Sequence, residues 1–203
     1  MSSNKPISFL KNEPKLAKII KQVGPYKIKI TKNRFQSLVE AIVTQQLTGA
    51  AANSIMKKFR KLYDTSFPKP IDVIKTSNQR LRKTGLSRMK ILYIKELSKK
   101  IERNELNLRT ISKLKDDQVI QNLTEVKGIG RWTAEMFLIF SLGRLDVLPV
   151  DDLGLKKGIQ LMFSLNELPK GEQIEKLAQK WKPYRTVATW YLWKSLKKFD
   201  TIG

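Results

Sequence analysis

Apolar residues recur every three or four positions along most of this 203-residue chain, which is the spacing of one face of an amphipathic helix. The first such segment has Asn12 as its candidate N-cap and ends at Gly24 and Pro25, two residue types that stop helices. Ser77 and Ser87 are further candidate N-caps, each in front of a later segment. Helical stripes are also predicted within residues 35–42, 55–62, 89–102 and 116–123.

One short segment departs from this spacing. Residues 26–30, with the sequence YKIKI, alternate between polar and apolar positions and predict a brief strand. The sequence FPKP at residues 67–70 is typical of a loop, and the chain contains no repeat or long linker. The predicted fold class is therefore all-α, with residues 1–203 forming a single helical domain.

Two of the predicted helices are separated by the short sequence VKGIG at residues 126–130. A glycine-bounded turn of this kind exposes backbone N–H groups at the start of the second helix, where the helix dipole adds partial positive charge. Gly128 and Gly130 would allow a positive φ and a close approach of the backbone to a phosphate group. The alternative is an ordinary turn between helices that needs glycine only for its own geometry.

Composition narrows the possible chemistry. The sequence has no cysteine and no histidine, which excludes disulfides, thiolate and histidine metal sites, and catalysis by either side chain. Forty Lys and Arg against eighteen Asp and Glu give a formal charge of +22, which favours a polyanionic partner such as nucleic acid. A general surface bias toward lysine is the alternative.

The sequence contains no stretch of eighteen apolar residues. We therefore expect a soluble, intracellular protein with no membrane partner. Its expected location is the cytoplasm or nucleoid, or the nucleus if the source is eukaryotic.

Asp151 and Asp152 stand side by side after a proline in the sequence LDVLPVDDLGLKKG, residues 145–158. Because acidic residues are scarce in this chain, an adjacent pair is a candidate for catalysis. Asp is also a favoured helix N-cap, and the residues after Asp152 have helical spacing. A carboxylate at a helix start can serve in both roles, so the two interpretations are compatible.

Four motifs in one order resemble the helix-hairpin-helix (HhH-GPD) DNA glycosylases, and in particular the 3-methyladenine DNA glycosylase II, or AlkA-like, branch. They are LVEAIVTQQLTGAAANSI at residues 38–55, TGLSRMKI from residue 84, VKGIGRWTAEMFLIFSLGRLDVLPVDDLGLKKG from residue 126, and WKPYRTVATWYLW at residues 181–193. The resemblance covers roughly residues 35 to 195. Bacterial relatives have an additional N-terminal α/β domain, so this chain resembles a compact form.

The resemblance implies a two-lobed helical fold with a helix-hairpin-helix motif at about residues 117–142. The implied lobes are residues 35–150, approximately, and residues 1–34 with 151–203. It also implies a reaction in which a damaged base is flipped out of the duplex and its bond to the sugar is hydrolysed. The oxocarbenium-like transition state needs a carboxylate near C1′ but no metal and no histidine. The family's catalytic Asp matches Asp152, with Asp151 as a supporting carboxylate and as the alternative catalytic residue.

Trp132 stands where relatives with lyase activity have the lysine that forms a Schiff base, which a tryptophan cannot form. Its indole can instead stack on a cationic alkylated purine, with a cation–π contribution of about 0.5–2 kcal/mol. Trp193 matches the family's second pocket aromatic, and Met136 is assigned to the same base pocket. Core packing is the alternative for Trp193, as it is for Trp190 and Tyr191.

The residue that fills the gap left by an extruded base maps to Gln46, with Leu47 beside it as the other candidate. The alternative for Gln46 is a solvated amide at a helix end. The resemblance assigns phosphate binding to Gly128, Gly130, Arg131 and Thr133. A monovalent cation, Na⁺ or K⁺, would be held by the backbone carbonyl groups of Thr124, Val126 and Gly128. No other cofactor is expected.

The implied function is that of a monomeric, monofunctional glycosylase of base excision repair. Such an enzyme removes alkylated purines of the 3-methyladenine and 7-methylguanine type from double-stranded DNA and leaves an abasic site. A non-catalytic helix-hairpin-helix DNA-binding protein is one alternative, and it would need neither Asp152 nor the two tryptophans. A bifunctional glycosylase/lyase is the other; it would need a lysine near position 132, and the nearest, Lys127, precedes the turn.

Overall fold

The computed structural model describes residues 4–47 and 49–196. Within these residues the regular elements are helices, which confirms the all-α prediction. Two single-turn 3₁₀ helices lie at Ile111–Lys113 and Gln179–Trp181. The α-helices are α1 (Asn4–Leu10), α2 (Pro14–Val23), α3 (Arg34–Thr44), α4 (Gly49–Arg60), α5 (Pro70–Lys75), α6 (Asn78–Lys83), α7 (Arg88–Glu102), α8 (Asp116–Thr124), α9 (Arg131–Phe140), α10 (Leu153–Phe163), α11 (Gly171–Ala178) and α12 (Arg185–Ser195).

The chain divides into two compact units. The first unit combines Met1–Lys29 with Gly143–Gly203, and the second unit is Ile30–Leu142. The first unit therefore contains α1, α2 and α10 to α12, and the second contains α3 to α9.

The first unit is built around α12, which packs against α2 and α10. Every residue from 186 to 193 is buried, so this helix is covered on all sides and its sequence does not show a single apolar face. The hydroxyl of Tyr191 donates a hydrogen bond of 3.0 Å to the backbone oxygen of Gly24, just after α2. Burial of large side chains such as Trp181 and Tyr191 supplies the main stabilising contribution to this unit.

The second unit is organised by α3 and α7. Helix α3 packs against α4, α7 and α9, α5 packs along α7, and α8 packs on α9. Fully buried side chains from these helices, including Leu38, Ile42, Phe59 and Leu97, form its core. The predicted N-caps are confirmed here, since the hydroxyl groups of Ser77 and Ser87 accept from the N–H groups of Arg80 and Lys90.

Some predicted elements differ from the structure. Residues 26–30 do not form a strand, because no second strand is present among the described residues to pair with them. Helix α2 begins at Pro14 with Glu13 as its N-cap, so the assignment of Asn12 as the cap is wrong. Proline at the first helical position is preset for helical φ and lacks only an N–H that the helix leaves unpaired there. The sequence also predicts a break near Thr48, between the helical stripes at residues 35–42 and 55–62, and that residue lies outside the described residues.

Within residues 4–47 and 49–196, no helix has the length and apolar character needed to cross a membrane.

Candidate active site

Asp152 is the N-cap of α10 in the first unit. Its Oδ1 atom accepts a 2.7 Å hydrogen bond from the backbone N–H of Leu155, and only 9% of the residue is exposed. The Asp152 N–H donates to the oxygen of Pro149 at 2.9 Å, so the turn after the proline sets the position of the carboxylate. The N-cap role predicted for Asp152 is compatible with the predicted catalytic role, since the residue caps a helix and its carboxylate has a fixed orientation.

Asp151, the neighbouring carboxylate, has different surroundings. Its side chain is 74% exposed and lies 3.7 Å from Nζ of Lys156. An exposed ion pair of this length orients a carboxylate weakly and is screened by water and salt. Of the two acidic residues, Asp152 is the one that the fold holds in place.

Trp193 fixes the same carboxylate from α12. Its indole Nε1–H donates a 2.7 Å hydrogen bond to Asp152 Oδ1, and 7% of the residue is exposed. Gly154 makes this approach possible, because a Cβ atom at that position would lie 2.8 Å from Cδ1 of Trp193. Oδ1 thus accepts two hydrogen bonds, which hold the carboxylate in its present orientation. The base-pocket role of Trp193 stays a prediction, and the structure adds a contact with the carboxylate.

The segment that leads to Asp152 is fastened to the start of α12. The two carboxylate oxygens of Asp146 accept hydrogen bonds from Nε and Nη2 of Arg185 at 2.7 and 2.9 Å, which makes a bidentate ion pair. The Val147 N–H donates to the hydroxyl of Thr186 at 2.9 Å. These contacts join the segment that precedes Asp152 to the start of the helix that carries Trp193. The positions of Asp152 and Trp193 are therefore fixed relative to each other.

The two glycines of the hairpin in the second unit have different conformations. Gly128 has φ +89°, and a Cβ atom there would lie 2.2 Å from ring carbons of Tyr93 on α7. Gly130 has φ −87° as the N-cap of α9, and a Cβ atom there would have no neighbour within 4 Å. The prediction of a positive φ is therefore correct for Gly128 and wrong for Gly130, because the N-cap position uses the extended region open to any residue.

Gly130 leaves the start of α9 without a side-chain cap. The first N–H groups of any helix point away from its own carbonyl groups, so the start of α9 has the general geometry of an anion site. The hydroxyl of Thr133 is buried and lies 3.4 Å from Nε2 of Gln45, so its predicted phosphate contact would have to come from the backbone. The guanidinium of Arg131 pairs with buried Glu135 at 3.0 Å and remains largely exposed.

Trp132 projects from the first turn of α9 and is 41% exposed, a large fraction for an aromatic side chain. Met136 lies one turn further along the same helix and is half-buried. The exposed indole at the predicted position fits a stacking role. That role stays a prediction.

The turn after α3 contains both candidates for the duplex wedge. Gln46 and Leu47 are exposed, and Gln46 has φ +57°, a left-handed conformation that residues other than glycine seldom adopt. Gln45, just before them, donates from Nε2 to the backbone oxygen of Gly128 at 2.9 Å. The residue that precedes the wedge candidates is thus joined to the hairpin by a direct hydrogen bond within the second unit.

Lys90 on α7 holds the same turn from the other side. Its Nζ donates to the backbone oxygens of Val43 and Gln45 at 2.7 and 2.8 Å, and burial lowers the pKa of this lysine. A cation at the C-terminal end of α3 also interacts favourably with the helix dipole. Gln45 and Lys90 were missed in the sequence because their partners are distant along the chain, and an amide or a lysine carries no local pattern that marks such a contact.

The carbonyl groups predicted to hold a monovalent cation already accept hydrogen bonds at two of the three positions. Val126 receives the N–H of Ile129 at 3.0 Å, and Gly128 receives Gln45 Nε2 at 2.9 Å. A carbonyl oxygen has a second lone pair, so these bonds and a cation are compatible in number. The cation stays a prediction.

Comparison with known proteins assigns the family. The model of the HhH-GPD superfamily base excision DNA repair proteins matches residues 39–183, which is more than half of the chain. The chain belongs to this superfamily. The resemblance stated for the sequence is thereby confirmed at the level of the family.

Two relatives from Schizosaccharomyces pombe match the chain over nearly all of its length. Alkylbase DNA glycosidase-like protein mag2 is 34% identical over 197 residues, which are 95% of this chain and 92% of the relative. DNA-3-methyladenine glycosylase 1 is 34% identical over 191 residues, which are 93% of this chain and 84% of the relative.

Solved structures agree with these sequence matches. The S. pombe 3-methyladenine DNA glycosylase Mag1 in complex with abasic DNA has a TM-score of 0.87 and 33% identity, covering 95% of this chain and 97% of that one. A DNA-3-methyladenine glycosidase from Bacillus halodurans has a TM-score of 0.84 and 37% identity, covering 96% and 91%. The chain therefore has the HhH-GPD fold.

Proposed function

We propose that this chain is a monofunctional DNA glycosylase of base excision repair that hydrolyses the N-glycosidic bond of alkylated purines and leaves an abasic site. The observation that carries the proposal is the Asp152 carboxylate, which is buried and fixed through Oδ1 by the N–H groups of Leu155 and Trp193. A carboxylate held in advance stabilises the positive charge that develops at C1′ without reorganising during the reaction. The names of the S. pombe relatives support this activity.

Alkylated purines such as 3-methyladenine and 7-methylguanine are suitable substrates for a site with so few catalytic groups. N-alkylation leaves the base cationic, which weakens its bond to the sugar and favours stacking on an indole such as Trp132. The sequence contains no histidine or cysteine to activate a stronger nucleophile. Asp152 as the electrostatic stabiliser and a charged leaving base are together sufficient for hydrolysis.

The partner of the reaction is double-stranded DNA, bound by a monomer. Support comes from the start of α9, where the helix dipole and the open space at Gly130 provide a place for a phosphate. The hydrogen bond from Gln45 to the hairpin ties the wedge candidates Gln46 and Leu47 to that place. Phosphate contacts of this kind position the duplex without reading its sequence.

The test is base release from methylated duplex DNA by two matched variants. In Asp152→Asn the amide oxygen can still accept both hydrogen bonds, so the fold is kept while the negative charge is lost. We expect release to fall about 10²- to 10³-fold, the usual cost of removing one electrostatic stabiliser, with duplex binding unchanged or tighter. Asp151→Asn removes the same charge one residue earlier and should stay within a few-fold of the parent.

Strand breaks are recorded in the same reaction. Release by Asp152→Asn close to the parent value would transfer the catalytic role to another residue. Absence of release by the parent protein, with intact binding, would indicate a non-catalytic DNA-binding protein. Strand nicking in step with base loss would indicate a glycosylase/lyase.

A further inference from the structure

A groove in the second unit is lined mainly by positively charged side chains. It lies between α6 and α7 and has a volume of about 1020 Å³. Its charged lining residues are Arg82, Arg88, Lys95, Lys99, Arg103 and Glu96. Five of these six side chains are cationic, an excess that cannot be neutralised within the groove.

The basic residues of α7 lie along one face of the helix. Arg88, Lys95 and Lys99 follow one another at intervals of seven and four residues, and Arg103 caps the C-terminal end. The fifteen residues of α7 span about 22 Å at 1.5 Å per residue. That length corresponds to about six phosphate spacings of 3.4 Å along one DNA strand.

The contacts inside the protein use little of this charge. Arg82, Arg88 and Lys99 have no ion-pair partner in the part of the chain that the structure describes. Arg103 approaches only the exposed Glu105, at 3.8 Å. Burial lowers the pKa of Lys95, and the neighbouring charge of Lys99 lowers it further, so the two ammonium groups repel each other.

The same helix also supports the hairpin. The ring of Tyr93 lies against Gly128, and Oε1 of Glu96 accepts the backbone N–H of Lys127 at 3.3 Å. The groove and the hairpin are therefore parts of one unit, joined through α7. A polyanion long enough to reach both would be bound at two places by a single rigid helix.

We propose that the α6–α7 groove binds a second segment of DNA phosphate backbone, in addition to the phosphate contact at the hairpin. Charge complementarity selects the occupant, because a row of cationic groups that extends over several phosphates of one strand, three of them without an ion-pair partner among the described residues, matches a nucleic acid. The exposed Leu92 at the groove surface lies among these cations and does not interrupt the row. The inference rests on the proposed DNA-binding function but not on glycosylase activity.

The test is the salt dependence of binding to an undamaged duplex of about 30 base pairs, for which each phosphate contact contributes a slope of about 0.9 in log K against log salt. The groove variant carries Arg82→Gln, Arg88→Gln and Lys99→Gln. The control carries Lys18→Gln, Lys21→Gln and Lys176→Gln, which removes the same charge from exposed positions of the first unit.

We expect the groove variant to reduce the slope by up to about 2.7, which is three contacts, while the control leaves it almost unchanged. Equal reductions in both variants would show that only net charge matters and would overturn the proposal. Thermal melting of both variants establishes that the fold is kept. If the groove variant melts early, the single substitution Lys99→Gln replaces it, with Lys21→Gln as its control.

A second measurement locates the duplex directly. Acetylation of lysines in the intact protein, with and without the duplex, should show protection of Lys95 and Lys99 and none of Lys18 and Lys21. Groove lysines that stay reactive in the presence of duplex would exclude DNA as the occupant. Because both measurements use undamaged DNA, a protein that binds in this way but releases no base would overturn the proposed activity and leave the groove assignment standing.

Discussion

At the scale of the residue, the decisive contact is the one between Asp152 and Trp193. The carboxylate takes its orientation from an indole N–H on another helix as well as from its own helix start. In the proposed reaction, these two donors fix where the negative charge of Asp152 lies. We therefore expect Trp193 to act as a positioning residue in addition to any contact with the base.

We predict that Trp193→Phe lowers the single-turnover rate of base release by about 10- to 150-fold, because a hydrogen bond to a charged group contributes roughly 1.5–3 kcal/mol. Duplex affinity should change little. Trp190→Phe is the matched control on the same helix, since the indole N–H of Trp190 has no hydrogen-bond partner among the described residues. An equal loss of rate in both variants would mean that helix packing, rather than the N–H donor, is responsible.

Tyr26 offers a second prediction at this scale. Its buried hydroxyl has no hydrogen-bond partner within the described residues, and burial, followed by the nearby Tyr191, raises its pKa from 10.0 to about 12. The folded protein then keeps a proton that the unfolded chain loses above pH 10, so stability falls as the pH rises from 10 to 12.

We expect Tyr26→Phe to be neutral or stabilising at pH 7 and to lose less stability than the parent between pH 10 and 12. Urea unfolding midpoints at several pH values measure both effects. Tyr191→Phe is the control, because it breaks the hydrogen bond to Gly24 and should cost about 0.5–1.5 kcal/mol at pH 7. A clear loss of stability in Tyr26→Phe at neutral pH would contradict the assignment of an unsatisfied hydroxyl.

At the scale of the element, the two glycines of the hairpin have different roles, although the sequence alone shows no difference between them. Gly128 is required by its own backbone and by the ring of Tyr93, whereas a Cβ atom at Gly130 would have no neighbour within 4 Å among the described residues. The open space at Gly130 fits an external group, and phosphate is the group that a helix N-terminus favours.

We predict that Gly130→Val leaves the unfolding midpoint nearly unchanged but weakens binding to damaged and undamaged duplex alike. Gly128→Ala should instead destabilise the protein by more than the 1–2 kcal/mol that a left-handed backbone costs roughly, because its Cβ collides with Tyr93. Gly171→Val, at the start of α11, controls for a branched side chain at a helix start. Loss of binding confined to damaged DNA would argue against a phosphate contact at Gly130.

The turn after α3, which contains Gln46, gives a second prediction at this scale. Lys90→Met removes both hydrogen bonds that hold the backbone before Gln46. Base release from a fully paired duplex should then fall severalfold, while release from a mispaired site, which is easier to open, should fall less. Lys58→Met, on an exposed face of α4, controls for the lost charge. Equal losses on the two substrates would exclude a role in base extrusion.

At the scale of the whole molecule, the choice between hydrolysis and lyase chemistry depends on whether a lysine can reach C1′ of the sugar. Helix α9 contains no lysine, and its first turn has Trp132 where a Schiff-base lysine would stand. We therefore expect hydrolysis, with the strand intact after base loss.

We expect borohydride to trap no covalent protein–DNA adduct while base release proceeds at its full rate. Strand breaks should form only after heating or alkali. Lys127→Ala, which removes the nearest lysine, should leave release unchanged. A trapped adduct that disappears in Lys127→Ala would identify that residue as an amine nucleophile and make the enzyme a lyase.

The sequence by itself determined the local features of this protein. The helical spacing of apolar residues, the caps Ser77 and Ser87, the N-cap at Asp152 and the net charge depend on neighbours within a few positions, so the pattern is sufficient to predict them. The hairpin is equally local, because a turn between two helices leaves the same exposed N–H groups in any context.

Only the tertiary structure decided which side chains hold the candidate site. Trp193 reaches Asp152 across 41 residues, and Gln45 reaches Gly128 across 83. Such pairs have no spacing rule, because they depend on how helices pack. The same cause explains residues 26–30, whose alternation predicts a strand but for which the described part of the chain provides no partner strand. Local periodicity specifies which elements form, and packing between distant elements specifies which donor each carboxylate and carbonyl receives.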